Sequence, residues 1–308
     1  MNWRYKAGIM KLVTFVPFHE KIYKLGQKLF GRLYADPAQR ISLHIEIVQL
    51  LKKNGKEIEG KIFFEVGSGH ELIVPLCYYL NGAAQVITVD LNLRLDVDIF
   101  KKSLAWFVEN RDSVLSMYAD LANESIFNER MNVIDKLKDD PIKLLSEANI
   151  IYLAPTDASN TKLEDSVIDY HISTVVFEHI PKDILSSIMK EARRILKKDG
   201  TAVHLIDLSD HFEHQDTTIS EINFLKYSEK AWKYIAGNQF AYTNRLRRSD
   251  FVKIFTSQGF DIVEQISVID QNSKKLLSNG FLVHKDYKKF SVDDLCTTKL
   301  TLVTSNNK

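Results

Sequence analysis

Residues 61–90 constrain the fold of this chain more than any other segment. An apolar run at 62–66 meets a glycine turn at 67–70, and a second apolar run ends in Asp90. Glycines after a buried strand let the backbone turn sharply and approach a ligand closely, while the next helix offers free N–H groups at its N-terminus. An acid at the end of the second strand suits a ribose diol. The segment therefore predicts a cofactor site at the edge of a sheet.

Two classes of cofactor are bound by this layout, the nicotinamide dinucleotides and S-adenosylmethionine (SAM). The dinucleotide fingerprint needs a third glycine, in the pattern G-x-G-x-x-G. Leu72 occupies that place here. The turn instead resembles the first motif of the class I SAM-dependent methyltransferases, E/D-x-G-x-G, which in this chain reads Glu65-Val66-Gly67-Ser68-Gly69.

Later motifs follow in the order of that family. Thr156-Asp157-Ala158 follows an apolar run, where the family places an acid that binds the adenine amino group. Residues 166–173 resemble its fourth strand, and Phe177-Glu178-His179-Ile180-Pro181 resembles the "LEHVP" segment that often comes next. The resemblance extends over about 61–208.

The alternation of apolar strands and helices predicts a parallel sheet covered on both faces. The resemblance implies an α/β fold with a seven-stranded, mostly parallel Rossmann-like sheet and a closing hairpin, plus an N-terminal helical extension and helical insertions. A helix after Pro181 is indicated by its apolar spacing, and Gly200 is expected to close it. The predicted strands are 62–66, 85–90, 150–153, 167–173, 201–208, 260–269 and 296–304.

The resemblance implies an N-terminal helical extension at 1–58 and a methyltransferase domain at 59–308. Two segments of that domain, 91–149 and 209–250, are longer than a minimal core needs. Long insertions at the carboxyl edge of such a sheet lie over the ligand crevice. We therefore expect both to build the acceptor pocket.

The first 35 residues mix basic and aromatic side chains at helical spacing. Two interpretations stay open: an amphipathic helix that packs on the domain as a lid over the cofactor pocket, or peripheral contact with an anionic membrane surface. The residues concerned are Arg4, Lys6, Lys11, Lys21, Lys24, Lys28 and Arg32, with Trp3, Phe15, Phe18, Tyr23, Phe30 and Tyr34.

The charge balance of the chain does not favour a nucleic acid as its partner. Forty-one Lys and Arg against 40 Asp and Glu give a net charge of +1, so no overall field favours a nucleic acid. The N/D-P-P-Y/F motif of many nucleic-acid methyltransferases is also missing after the fourth strand. Cys77 and Cys296 lie far apart, which fits a reduced cytoplasmic protein. We found no bilayer-length apolar stretch and no signal-peptide pattern, so the predicted location is cytoplasmic.

The resemblance assigns the cofactor residues. Glu65 is expected to receive the amino group of SAM, Asp90 the ribose hydroxyls and Asp157 the adenine amino group, with Glu164 and Asp165 as alternatives to Asp157. A carboxylate accepts two hydroxyl hydrogen bonds well. The predicted cofactor-binding residues are Glu65, Gly67, Ser68, Gly69, Asp90, Leu91, Asp157 and Ala158.

Methylation of a hydroxyl needs alignment of the acceptor and removal of its proton, and histidine is the natural base. We predict His211 as the base with Asp207 or Asp210 as the orienting acid, and His179 as a further candidate. A solvated loop histidine is the alternative reading of His211. His171 and His204 lie within strands and are expected to be core residues.

Asp207, Asp210, His211 and His214 are residue types that ligate divalent ions. They lack a tight ligand spacing, so no metal is predicted.

Clustered arginines beside a tyrosine suggest recognition of a phosphate or carboxylate on the acceptor. The predicted residues are Tyr242, Arg245 and Arg247; a salt-bridged helix start is the alternative. The patterns "DLSDHF" and "NRLR" resemble methyltransferases of bacterial polysaccharide biosynthesis. That resemblance implies O-methylation of a small polar acceptor such as a sugar, nucleotide sugar or glycan end. N- or C-methylation of another metabolite, and an inactive SAM-binding protein, remain as alternatives.

Overall fold

The computed structural model describes residues 2–17, 26, 34–238 and 240–307. One sheet of seven strands runs through the molecule in the order β3-β2-β1-β4-β5-β7-β6, and β7 is antiparallel to both of its neighbours. The predicted fold class is confirmed. The strands are β1 (Ile62–Val66), β2 (Gln85–Val89), β3 (Ile150–Leu153), β4 (Ile168–Thr174), β5 (Leu196–Asp207), β6 (Asp261–Ile269) and β7 (Thr297–Ser305).

Helices cover both faces of the sheet, because the central strands are apolar on both sides and must be buried on both. The helices are α1 (Trp3–Val13), α2 (Pro37–Lys53), α3 (Ile73–Leu80), α4 (Val97–Glu109), α5 (Arg111–Tyr118), α6 (Glu124–Leu137), α7 (Pro141–Glu147), α8 (Lys182–Ile195), α9 (Glu229–Ala236), α10 (Arg248–Ser257), α11 (Gln271–Ser278) and α12 (Val292–Leu295). One apolar core joins the sheet to α2–α7, and a second joins it to α8 and α10.

The start of β5 differs from the prediction. The strand begins at Leu196, directly after α8, rather than at residue 201. Leu196 pairs with Ile168 of β4, but the next pair is Tyr170 with Thr201, so the register shifts there. The extra residues of β5 are accommodated in this irregularity, which a sequence pattern does not reveal because it depends on the partner strand.

The first insertion, 91–149, forms α4–α7, and most of its large apolar residues belong to the core with α2 and α3. Phe100, Leu104 and Phe107 of α4 are fully buried. This face of α4 therefore belongs to the core, and the role of the insertion in the acceptor pocket stays a prediction. The second insertion, 209–250, begins where β5 ends and lies at the carboxyl edge of the sheet.

Helix α1 packs on the second insertion, as an amphipathic helix would. Trp3 is buried, its ring stacks on Trp232 with centroids 5.5 Å apart, and its backbone N–H donates to Asp216 Oδ2 at 2.7 Å. The outer face of α1 leaves Tyr5 and Leu12 largely exposed, and membrane contact stays a prediction. Several residues of the predicted basic and aromatic set lie outside the described residues: Phe18, Lys21, Tyr23, Lys24, Lys28, Phe30 and Arg32.

Within the described part of the chain, no helix combines the length and apolar character needed to cross a membrane.

Candidate functional site

The turn after β1 has the backbone conformation that its two glycines predict. Gly67 has a φ of +92° and Gly69 a φ of +69°, a region that L side chains rarely adopt. A Cβ atom at Gly67 would collide with the side chain of Val176, which follows β4. A Cβ at Gly69 would meet no described atom within 4 Å. The turn therefore packs on the loop after β4 and leaves its Gly69 side open for a ligand.

Glu65 lies at the end of β1 and is buried. Thr88 Oγ1 on β2 donates to its Oε2 at 2.6 Å and lies 2.7 Å from Ser68 Oγ. Burial raises the pKa of Glu65 to about 7, although the Thr88 hydrogen bond and the charge of Arg40 oppose the rise. A carboxylate in this setting gains from a cationic partner such as an ammonium group, which fits the predicted role of Glu65.

Asp90 follows β2 and is half-buried beside the turn. Its Oδ1 accepts the N–H of Asn92 at 3.0 Å. Burial raises the pKa of Asp90, while the backbone of Asn92, the charge of Arg94 and the backbone of Gly69 oppose the rise. Leu91 is 67% exposed. Asp90 and the exposed side chain of Leu91 thus lie together where the ribose and adenine of SAM were predicted to bind.

The third predicted cofactor segment lies next to Asp90. The Thr156 N–H donates to the Asp90 carbonyl at 2.9 Å. Asp157 is exposed and accepts the N–H of Ser159 at 2.8 Å, and Ala158 is buried. Of the alternative acids, Asp165 is paired with Arg194. The structure thus brings the predicted cofactor residues to one edge of the sheet, and their roles in binding remain predictions.

The predicted base and its acid form a pair at the end of β5. His211 Nε2 lies 3.5 Å from Asp207 Oδ2. Burial alone would raise the pKa of Asp207, but the nearby His211 ring and hydrogen bonds from Ser209 outweigh it and hold the pKa well below its usual range. His214 Nε2 lies 3.9 Å from the same oxygen.

Asp210, the alternative orienting acid, makes different contacts. It is buried and accepts the Phe212 N–H at 3.0 Å and the Asn223 amide at 3.1 Å. Burial raises the pKa of Asp210 to about 6. Its hydrogen bonds hold the second insertion in shape, so Asp207 is the acid that can orient His211.

His179 joins this pair from the loop after β4. Its ring centroid lies 5.0 Å from that of His211, in an edge-to-face arrangement. The Nδ1 atom lies 2.8 Å from the Tyr242 carbonyl oxygen, to which it donates when protonated. Desolvation lowers the pKa of His179. Two histidines and one acid thus converge where adjacent strands β4 and β5 end.

Glu178 is a member of this cluster that sequence reasoning missed. Its side chain is only 2% exposed, and neither carboxylate oxygen has a hydrogen-bond partner among the residues that the structure describes. Burial raises the pKa of Glu178 to about 8, against the weaker influence of nearby backbone N–H groups. The only sequence signal was its position beside His179 after the fourth strand.

The two arginines predicted to bind the acceptor are occupied within the protein. Arg245 donates to the carbonyls of Phe224 and Tyr227 and pairs with Glu229. Arg247 is fully buried and donates to the carbonyl of Leu208 at 3.2 Å and to that of Thr297 at 2.6 Å.

The environment of these two side chains explains why they are not available to bind an acceptor. Burial lowers the pKa of Arg247 to about 10, and its guanidinium holds the end of β5 to the start of β7. A guanidinium already bonded to buried carbonyls is not available to an anionic acceptor. The predicted acceptor role of Arg245 and Arg247 is therefore not supported. Tyr242 is 37% exposed beside His179 and stays a candidate.

The strand histidines lie in the core, as predicted. His171 and His204 are fully buried, and His204 Nδ1 lies 2.8 Å from Ser173 Oγ. Burial lowers the pKa of both rings, to about 3 for His171.

Fold and site together define an α/β protein with a seven-stranded, mostly parallel, Rossmann-like sheet and a cluster of polar residues at its carboxyl edge. Residues 129–204 match the family model described as "Methyltransferase domain". That match runs from α6 into β5 and includes the segment of Glu178 and His179, but not the glycine turn. The match supports the predicted enzyme class, a SAM-dependent methyltransferase, with SAM as its cofactor.

Solved structures with a similar fold include three proteins of known source. One is a protein from Pyrococcus horikoshii, with 14% identity over 89% of this chain and 95% of that one and a TM-score of 0.49. Another is the geranyl diphosphate C-methyltransferase of Streptomyces coelicolor, with 10% identity over 85% and 78% and a TM-score of 0.48.

The third is a phosphoethanolamine N-methyltransferase of Haemonchus contortus, with 15% identity over 84% of this chain and a TM-score of 0.45. This chain spans 51% of that protein's length. These values are low, so the likenesses do not extend to substrates or site residues. A comparison with curated proteins gave no match.

Proposed function

We propose that this protein transfers a methyl group from SAM to a hydroxyl group of a small polar acceptor. The proposal rests on a cluster of acids and histidines next to the predicted cofactor turn. Its members are Glu178, His179, Asp207 and His211. Gly67 of that turn packs on Val176, and Glu178 and His179 follow two and three residues later. The pair of Asp207 and His211 completes the cluster from β5.

The residues suit the chemistry of this transfer. SAM supplies a methyl group on a sulfonium, which makes it open to attack by a nucleophile. As the new O–CH₃ bond forms, the S–CH₃ bond breaks and its electron pair stays on sulfur, giving S-adenosylhomocysteine. The hydroxyl proton passes to the lone pair of His211, and Asp207 orients the ring and stabilises the imidazolium.

We further propose a sugar, nucleotide sugar or glycan end as the acceptor, in polysaccharide biosynthesis and in the cytoplasm. Support comes from the sequence resemblance of the segment after β5 and from the polar residues around the cluster. A cavity with room for about one water molecule lies beside Glu178 and Asp207 and is lined in part by Ser209 and Thr243. Hydroxyl groups of this kind recognise neutral polar ligands by hydrogen bonds.

Acceptor screening tests this proposal. The purified protein is incubated with SAM and panels of sugars, nucleotide sugars, amines and carbon acids, and the release of S-adenosylhomocysteine is measured. Turnover of a hydroxyl acceptor that falls strongly in His211→Ala supports O-methylation. If the protein instead methylates an amine and His211→Ala barely slows that reaction, the activity is N-methylation, since a neutral amine needs no base. SAM binding without any turnover would favour an inactive binding protein.

A further inference from the structure

The cluster behind the cofactor turn also has the composition of a metal site. Glu178, His179 and His211 each place one potential ligand atom within 4.8 Å of the other two. Two imidazoles and a carboxylate that converge in this way are the donor set of many zinc and first-row transition metal sites. The three residues come from the ends of two adjacent strands, so the sheet itself fixes their spacing.

Glu178 gives an independent indication of a ligand. Both of its carboxylate oxygens are buried and lack a hydrogen-bond partner within the described residues, although native proteins nearly always satisfy such atoms. An unpaired buried carboxyl costs free energy unless a cation or a donor reaches it. A cation among Glu178, His179 and His211 would remove that cost.

The surroundings orient both histidines for ligation. The Tyr242 carbonyl lies 2.8 Å from His179 Nδ1, which leaves the lone pair of Nε2 for a ligand. Asp207 lies 3.5 Å from His211 Nε2 and can hold a proton on that nitrogen, which leaves Nδ1. Metal-binding histidines commonly bond an oxygen through the ring nitrogen that does not bind the metal, and this contact fixes the tautomer.

We propose that Glu178, His179 and His211 bind a divalent transition metal ion or zinc at the ends of β4 and β5. Three protein ligands leave at least one coordination position open, and an acceptor oxygen can take it. This inference rests on the proposed function for the identity of that oxygen and changes one step of it. With the ion bound, His211 would be a ligand instead of the base. The cation would lower the pKa of the acceptor hydroxyl, and the hydroxyl proton would pass to water.

Metal binding by the untagged, EDTA-treated protein tests the proposal without any acceptor. Titration calorimetry with Zn²⁺, Mn²⁺ and Co²⁺ separately is expected to show one site for at least one ion, weakened at least tenfold in Glu178→Gln and in His179→Ala. His284→Ala removes a histidine outside the cluster and is expected to bind as the wild type does. Thermal unfolding of each variant confirms that it is folded.

Two results would overturn the metal site: no one-to-one binding of any of these ions, or equal binding by wild type and Glu178→Gln. Titration of the same samples with S-adenosylhomocysteine keeps the two proposals apart. Cofactor binding without metal binding leaves the methyltransferase proposal standing and overturns the metal site. Metal binding without cofactor binding contradicts the proposed function while it supports the metal site.

Discussion

Asp207 holds its Oδ2 atom 3.5 Å from Nε2 of His211, and the same carboxylate accepts hydrogen bonds from Ser209. Because this acid orients the ring of His211, Asp207→Asn is expected to lower kcat for a hydroxyl acceptor by about 10²- to 10⁴-fold. The affinity for SAM should stay close to that of the wild type. Steady-state kinetics and calorimetry on the same variant measure the two effects.

Asp210→Asn is the matched comparison for Asp207→Asn. The Asp210 carboxylate bonds Phe212 and Asn223 instead of His211, so this change should alter the free energy of unfolding rather than kcat. If Asp210→Asn lowered kcat as much as Asp207→Asn, the assignment of Asp207 as the orienting acid would be wrong.

Gly67 and Gly69 provide a second test, because both have a positive φ but different surroundings. Alanine at either position carries a left-handed backbone cost of about 1–2 kcal/mol. Gly67→Ala adds a collision with Val176, worth about 1–3 kcal/mol more. Urea unfolding should therefore show a larger loss for Gly67→Ala, and Val176→Ala in that background should restore part of it. Equal losses in the two variants would contradict this packing.

Cofactor affinity should depend on the charge of Glu65, whose pKa is raised to about 7 by burial. The ionised form pairs with the ligand's ammonium group, so binding is strong above pH 7 and weakens as the pH falls and Glu65 takes up a proton. S-adenosylhomocysteine should bind about tenfold more weakly at pH 6 than at pH 8. In Glu65→Gln this pH dependence should be absent; if it persisted, another group would be responsible.

His44 on α2 links stability to pH. It is fully buried beside Tyr118, and burial lowers its pKa to about 3. The unfolded chain takes up a proton near pH 6.5 while the folded protein does not, so stability falls as the pH drops below 6.5. Relative to the wild type, His44→Gln should gain about 1.4 kcal/mol per pH unit between pH 6 and pH 4. Urea unfolding at several pH values measures this difference, and a constant difference would contradict the assignment.

The sequence predicted the framework of the site well because its signals are local. The apolar run of β1 and the glycine turn define their own conformation, and β1 has the predicted bounds. Adjacent parallel strands then bring Asp90 and Asp157 to the same edge. The pairing of His211 with Asp207 was also accessible, because Asp207 ends β5 and His211 follows it four residues later.

Properties that depend on distant partners could not be read in this way. The carbonyls that occupy Arg247 belong to Leu208 and Thr297, 39 and 50 residues away. A cluster of arginines therefore looked available for an acceptor although its members hold the fold together. Likewise, the isolation of Glu178 is visible only once the surrounding side chains are placed.

Calorimetric titration with SAM, S-adenosylhomocysteine and NAD is the most direct test of the central claim. The account predicts one-to-one binding of both adenosyl ligands, no binding of NAD, and at least tenfold weaker binding of S-adenosylhomocysteine by Asp90→Ala. Binding of NAD alone, or adenosyl-ligand affinity unchanged in Asp90→Ala, would contradict the site assigned to the ends of β1 and β2.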